Sequence, residues 1–298
     1  MTRNPIPSWI DSDIKNSHET VVWFRLPRKI RMGFVNTVTS RRQTVKNALR
    51  AHPELFAVVR SSVYAVRGLY GTTFGRLLTA RSRDYLTNSE EPKLHLGCGD
   101  LILPGWLNSD AYPRRLDVAY CNATQRFPFP DNSFAYVFTE HMIEHLSQRA
   151  GENLMRESLR VLRPGGRVRI ATPDLHKIIA LKRSGLTDTE REYLDWQTAQ
   201  IPNAIEGSPC FTINKFVRAW GHAFIYDFDT LRQLLERNGF TNVGAYSPGK
   251  SDSPALRGLE RHAEIFPNPA FNLIETIVVE AAKNISPHNV SRPVRGKN

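Results

Sequence analysis

The stretch KLHLGCGDLILPGWLNSD, residues 93–110, decides the fold of this chain. Residues 94–96 form a short apolar run that ends at Gly97 and Gly99, the pattern of a buried strand followed by a tight turn. Such a turn lets the backbone approach a bound nucleotide closely, although it can also be purely structural. Ile102 stands where a dinucleotide-binding turn has its third glycine, so the stretch disfavours a nicotinamide cofactor.

Short apolar runs alternate with helical patterns from this stretch onward. An amphipathic helix is predicted over 148–162, and a second, capped by Asp229, over 230–237. Alternation of this kind is typical of a doubly wound α/β fold, in which helices cover both faces of a mainly parallel sheet. The predicted sheet has seven strands, at residues 94–96, 106–108, 116–121, 134–138, 167–171, 241–246 and 274–281.

The charge of the chain divides it into three parts. Residues 1–90 hold 15 lysines and arginines against 6 aspartates and glutamates, whereas residues 91–283 are close to neutral. We therefore predict a basic, mostly helical N-terminal extension over 1–90, a folded domain over 91–283 and a disordered tail over 284–298. Within the extension, an amphipathic helix is expected from Pro53 to Tyr70, followed by a polar linker over 81–92.

The composition excludes several classes of protein. No run of about 18 apolar residues is present, and the first thirty residues lack a secretory signal pattern. The three cysteines, Cys98, Cys121 and Cys210, form no CxxC pair, which argues against a disulfide framework or a cysteine zinc site. We therefore expect a cytoplasmic protein, with its basic extension able to touch the inner face of a membrane.

Polar residues follow each of the next three predicted strands. Asp110 closes the second strand, where a carboxylate can accept hydrogen bonds from ribose hydroxyls. Asn122 and Ala123 follow the third, where an amide can recognise the edge of an adenine. Glu140 and His141 follow the fourth. These positions predict a nucleoside-bearing ligand at the carboxyl edge of the sheet.

The ordered set of motifs resembles the class I S-adenosylmethionine-dependent methyltransferases, in particular stand-alone bacterial members. The motifs are LHLGCG, GWLNSD, PFPDNSF, HMIEHL, LRPGG and TPD, and the resemblance runs from about Lys93 to Lys283. It implies S-adenosyl-L-methionine as the cofactor and a sheet of seven strands. The resemblance also implies a set of cofactor-binding residues, namely Gly97, Cys98, Gly99, Asp110, Asn122, Ala123 and Glu140, with His141 beside the transferable methyl group.

The histidines after the fourth strand allow more than one role. His141, Glu144 and His145 are three and four residues apart and can share a helix face, which also suits a metal, but we predict no metal site. Glu144 and His145 are expected to satisfy backbone groups near the strand end. We predict His141 as the catalytic residue, a general base, with a scaffold role as the alternative.

Three further polar residues lie near the expected acceptor region. Asp174 follows the fifth strand, near where acceptors bind, but can equally cap a helix. His222 and Tyr226 belong to a segment that could close over the site, with a role in the core or in a cap as the alternative.

We therefore predict an enzyme that transfers a methyl group from S-adenosylmethionine to a small molecule or a glycan, at oxygen. The alternatives are a non-catalytic adaptor that binds a membrane or a nucleic acid through its basic flanks, and an RNA methyltransferase. The last is disfavoured because the excess positive charge lies outside the folded domain.

Overall fold

A seven-stranded sheet forms the centre of the protein. The computed structural model describes residues 82–285. The strand order is β3-β2-β1-β4-β5-β7-β6. The strands are β1 (Lys93–Leu96), β2 (Leu107–Asp110), β3 (Ala119–Tyr120), β4 (Phe134–Glu140), β5 (Leu162–Pro173), β6 (Phe240–Tyr246) and β7 (Thr276–Lys283).

Six of the seven strands run in the same direction, and β7 runs opposite to them. β1 to β5 pair in parallel, and β7 pairs antiparallel with both β5 and β6. Most residues of β1, β5 and β7 are buried, as expected for strands that are covered on both faces. The doubly wound, mainly parallel, seven-stranded sheet predicted from the sequence is confirmed.

Six α-helices follow β4 in the described part of the chain. They are α1 (Gln148–Val161), α2 (Leu175–Ala180), α3 (Asp188–Ala199), α4 (Pro209–Arg218), α5 (Phe228–Arg237) and α6 (Phe271–Glu275). Single turns of 3-10 helix lie at Ile143–His145, Pro254–Leu256 and His262–Ile265. Within residues 82–285, we find no helix with the length and apolar character needed to cross a membrane.

Three apolar clusters hold the elements together. The largest packs α1 and α5 against the sheet, and the second joins α2, α3, α4 and α6. The third cluster lies beside β1 and β4 and contains Leu103, Phe138, Leu256 and Leu259, with Trp106 packed against it. Leu256 and Leu259 come from the segment between β6 and α6, so this long connection is part of the core.

Four details differ from the sequence-based expectation. Residues 82–88 are helical rather than a linker, and Tyr85 and Leu86 pack against the largest cluster. The third strand is only two residues long. β5 begins at Leu162, directly after α1, rather than at residue 167, and Leu162 pairs with Phe134 before the register shifts. Asp227, not Asp229, caps α5, because its side chain accepts a hydrogen bond from the backbone N–H of Thr230.

The predicted extension, apart from its last residues, and the predicted tail lie outside the described residues. This holds for the helix expected between Pro53 and Tyr70 and for residues 286–298. The domain boundaries at residues 90 and 284 therefore stay predictions.

Candidate active site

The register of the sheet brings the predicted site residues to one edge. β1 lies between β2 and β4, and all three strands run in parallel. Gly97 therefore follows β1 beside Asp110, the last residue of β2, and beside Glu140, the last residue of β4. Asn122 follows β3 at the same edge. The strand order reverses at β1, because β2 and β3 lie on one side of it and β4 and β5 on the other. Open α/β sheets bind their ligands at such a switch point.

The turn after β1 leaves backbone open to a ligand. Gly97 and Gly99 have φ angles of 67° and 53°, which only glycine adopts without strain. A Cβ atom at Gly99 would meet no atom within 4 Å. Cys98 between them is buried, and its burial, with the nearby Asp110, raises the pKa of its thiol to about 12. The turn therefore offers uncovered backbone and a neutral side chain.

Asp110 is held against this turn by its own carboxylate. One oxygen accepts a hydrogen bond from the backbone N–H of Gly99 at 2.9 Å, and the other accepts one from Tyr112 at 2.7 Å. Each carboxylate oxygen keeps a further lone pair, so Asp110 can still accept hydrogen bonds from a ligand. The connection from β1 to β2, residues 97–106, contains no helix.

The side-chain oxygen of Asn122 is hydrogen bonded within the protein. Its oxygen accepts hydrogen bonds from the backbone N–H and the hydroxyl of Thr124, at 2.9 and 2.8 Å. The amide nitrogen of Asn122 is therefore the group left to recognise an acceptor atom on an adenine. The carbonyl of Ala123 accepts a hydrogen bond from Asn153 at 2.8 Å, which ties this turn to α1.

Glu140 has a role that the sequence did not indicate. Its carboxylate accepts hydrogen bonds at 3.0 to 3.1 Å from the backbone N–H groups of Arg261 and His262. Those residues lie more than a hundred positions further along the chain. Glu140 therefore anchors a distant loop at the end of β4, and its contact with the cofactor stays a prediction.

His141 adopts an unusual backbone conformation directly after β4. Its φ angle is 46°, which is unfavourable for any residue other than glycine. Residues held in such strained conformations are often found at functional sites. Its Nδ1 lies 3.0 Å from Oε1 of Glu144, whose other oxygen accepts a hydrogen bond from Thr172. An ionised carboxylate only accepts, so Nδ1 carries the hydrogen and the lone pair of the neutral ring is on Nε2.

Nε2 of His141 is buried and has no hydrogen-bond partner among the described residues. Burial opposes a positive charge on this ring, but the hydrogen bond to Glu144 and the negative charge of Glu144 outweigh it, so the pKa of His141 lies above its ordinary value. The pKa of Glu144 lies below its ordinary value because its contact with His141 outweighs its burial. The pair therefore presents a basic nitrogen that is oriented and without a partner.

The expectation for Glu144 and His145 was only partly right. The backbone carbonyl of Glu144 accepts hydrogen bonds from Ala223 and Phe224, but its side chain binds His141 and Thr172. The ring of His145 packs edge-on against His222 at 4.9 Å between centroids.

Asp174, His222 and Tyr226 have roles within the fold. Asp174 caps α2 by accepting a hydrogen bond from the backbone N–H of His176. Tyr226 is 1% exposed and belongs to the largest apolar cluster. Nδ1 of His222 lies 2.6 Å from the carbonyl of Phe216, so this ring ties the end of α4 to the segment that follows it.

Two residues that the sequence did not indicate complete the site. The ring of His262 stacks on that of His141, with centroids 3.5 Å apart and planes 27° from parallel. Nε2 of His262 lies 3.0 Å from Oε1 of Glu275, and the other oxygen of Glu275 accepts a hydrogen bond from Tyr193. No local motif surrounds His262 or Glu275, so only the fold could reveal them.

The side-chain ligand atoms of His141, His262 and Glu275 lie within 4.8 Å of one another. A metal ion lies in the plane of each histidine ring that binds it, along the lone pair of the nitrogen. Rings stacked nearly in parallel direct their lone pairs side by side, so they do not converge on one ion. The geometry is that of a stack with a carboxylate at each end, from Glu144 and Glu275.

The comparison with protein families agrees with this geometry. Residues 94–170 match the family model described as a methyltransferase domain, which spans β1 to β5 and includes the glycine turn, Asp110 and His141. Residues 94–170 thus carry a methyltransferase domain, which supports the resemblance to the class I S-adenosylmethionine-dependent methyltransferases. The predicted enzyme class and cofactor are thereby confirmed, whereas the roles of individual site residues stay predictions. No curated protein matches the chain.

Solved methyltransferase structures are similar to this methyltransferase domain at low identity. A phosphoethanolamine N-methyltransferase from Haemonchus contortus, bound to phosphomonomethylethanolamine and S-adenosylhomocysteine, is 14% identical, with 65% of this chain and 49% of that chain covered and a TM-score of 0.35. An S-adenosylmethionine-dependent methyltransferase from Archaeoglobus fulgidus is 16% identical, with coverages of 72% and 98% and a TM-score of 0.37. This chain therefore spans about half the length of the Haemonchus enzyme.

The residues at the edge of the sheet fit S-adenosylmethionine. Gly99 has no Cβ atom, and the space beside its backbone is open, so a ligand could approach the backbone closely. Asp110 has free lone pairs for ribose hydroxyls, and the amide nitrogen of Asn122 has a free hydrogen-bonding capacity. This methyltransferase domain thus has the groups that its cofactor requires.

Proposed function

We propose that this methyltransferase methylates an oxygen atom of a small molecule or a glycan, with His141 as the general base. The observation that supports the proposal is the buried, unpartnered Nε2 of His141 at the end of β4, on a ring that Glu144 orients. Gly97, Cys98, Gly99, Asp110, Asn122 and Ala123 would hold the cofactor, and Glu140 would border its site.

An oxygen acceptor needs a base, because a hydroxyl group that gains a methyl group must lose its proton. Bound S-adenosylmethionine supplies a methyl carbon on a positively charged sulfonium, and its transfer leaves a neutral thioether and a proton. Nε2 of His141 takes that proton, and the resulting positive charge is stabilised by the carboxylate of Glu144. The side chain of His141 is only 16% exposed, so little water surrounds the ring.

The test uses methyl-labelled S-adenosylmethionine with a panel of sugars and phenols and with their amine analogues. We expect label on hydroxyl oxygen, and His141→Asn should lower the transfer rate about 10²- to 10⁴-fold. The affinity for S-adenosylmethionine, measured by calorimetry, should stay within about twofold because His141 is proposed to act on the acceptor. Label on nitrogen or carbon, or full transfer by the variant, would contradict the proposal.

We propose further that the enzyme acts in the cytoplasm, at the inner face of a membrane. Cys98, Cys121 and Cys210 are all free thiols, in keeping with a reducing compartment. The positive charge of residues 1–90 suits contact with anionic lipid.

A further inference from the structure

His262 reaches the site on a loop that two separate elements hold in place. Its backbone N–H and that of Arg261 donate hydrogen bonds to Glu140 at the end of β4. Its ring lies 3.0 Å from Glu275, at the end of α6, and packs edge-on against Phe266. These contacts fix both the main chain and the ring of His262.

The hydrogen bond to Glu144 cannot orient His141 by itself. The χ2 angle of a histidine has a broad energy minimum, so a ring held by one hydrogen bond can still tilt about that bond. A flat ring 3.5 Å from its face blocks the tilt on that side. Stacking by His262 therefore supplies the second restraint that a base with a fixed lone pair needs.

The charges around the stack also favour a proton on His141. The carboxylates of Glu140, Glu144 and Glu275 all raise the pKa of His141, and its own burial is the main opposing effect. A positively charged His141 ring would lie against the π face of the His262 ring. His262 thus suits both states of the ring, before and after it takes a proton.

We propose that His262 is a positioning residue for the base His141, and that Glu140 acts through it by anchoring residues 261 and 262. The proposal rests on the proposed function of His141. It assigns to Glu140 a role at the acceptor side of the site. It also explains why two elements far apart in the sequence converge on one loop.

Three substitutions of His262 separate the ring from its hydrogen bond. His262→Phe keeps a flat ring over His141 but loses the bond to Glu275, His262→Asn keeps a polar group near Glu275 but loses the ring, and His262→Ala loses both. We expect His262→Phe to retain methyl transfer within about threefold, and His262→Asn and His262→Ala to lose about tenfold or more. The affinity for S-adenosylmethionine should stay unchanged in all three.

The state of the base is measured directly by ¹⁵N NMR of histidine-labelled full-length protein, with His141→Asn to assign its signal. Above the pKa of the ring, we expect a sharp Nδ1–H signal of His141 in the wild type and in His262→Phe. We expect a broadened signal in His262→Asn and Glu140→Ala, because a ring without the stack tilts about its hydrogen bond to Glu144. Glu264→Ala is the matched control, because Glu264 lies on the same turn but contacts only Arg261 at the surface.

A sharp His141 signal and wild-type transfer in His262→Asn would overturn the positioning role. If His262→Ala fails to fold, the comparison between the Phe and Asn variants still decides. The failure of the proposed function is a different result. Label would then appear on an atom other than oxygen, or His141→Asn would remain active, whatever the width of the His141 signal.

Discussion

Gly99 is the single residue whose replacement tests the cofactor site most directly. A valine there adds a branched side chain to space that no protein atom occupies, so the loss of S-adenosylmethionine binding would reflect contact with the ligand. We expect calorimetry to show no binding by Gly99→Val. Gly97 is less suitable, because a Cβ at Gly97 would lie 2.5 Å from the side chain of Met142.

Gly105→Val is the matched control for that experiment. Gly105 lies in the same connection, has a φ angle of 77° and also has open space at the position of a Cβ atom. Both variants carry the same backbone strain, about 1 to 2 kcal/mol. Equal loss of binding in both would show that strain, rather than the cofactor, explains the result.

The residues of the site differ in how far the sequence could predict them. Gly97, Asp110 and His141 directly follow or end predicted strands, so parallel pairing alone places them together. His262 and Glu275 depend on a loop whose path is set by Glu140 and by buried leucines, and no local pattern encodes such contacts. The sequence therefore indicates the residues at the ends of the parallel strands better than the residues that the distant loop brings to them.

The connection between β1 and β2 depends on a buried histidine. Nδ1 of His95 lies 3.0 Å from Oδ1 of Asn108, and the side chain of Asn108 is hydrogen bonded to the backbone of Leu103 and Trp106. This network holds a crossover that has no helix of its own. Burial lowers the pKa of His95 to about 4, so the ring is neutral in the folded protein at pH 7.

The buried His95 predicts that the free energy of unfolding decreases in acid. The unfolded chain binds a proton at His95 below about pH 6.5 while the folded protein does not, so stability falls as the pH drops from 6.5 towards 4. From pH 6.5 to 5 we expect a loss of about 2 kcal/mol from His95. His95→Gln, which can still donate to Asn108, should reduce the loss by this amount in urea unfolding. An unchanged pH dependence in the variant would contradict a neutral, buried His95.

The helices and strands were largely predictable, and the exception at residues 82–88 has a cause outside the local sequence. Apolar runs that end at glycine or at polar residues located the strands of the parallel sheet, because parallel strands are buried on both faces. The polar composition of residues 82–88 suggested a linker, but Tyr85 makes hydrogen bonds with the backbone of Lys93 and Gly105 that fix a helix there. Tertiary contacts thus decided this element.

The net charge of +11 belongs to the flanks of the molecule rather than to its folded centre. If residues 1–90 contact anionic lipid, the full-length protein should sediment with phosphatidylserine vesicles at low salt and be released at high salt. Replacing Arg41, Arg42 and Lys46 by Glu should weaken this binding by more than about 100-fold. The matched control reverses Arg292, Arg295 and Lys297, with the same change in net charge. Equal loss in both variants would indicate attraction by net charge alone.

Leu256 and Leu259 fill the space beside the crossover that has no helix, and they belong to the same loop that presents His262. This loop therefore packs in the core and also places the His262 ring against His141. Insertions or deletions between residues 256 and 259 would disturb folding before they could alter what the enzyme methylates. Exposed side chains of the same loop, such as Ile265, could be exchanged in evolution without disturbing the core. The length of the loop would be inherited almost unchanged among descendants of this protein.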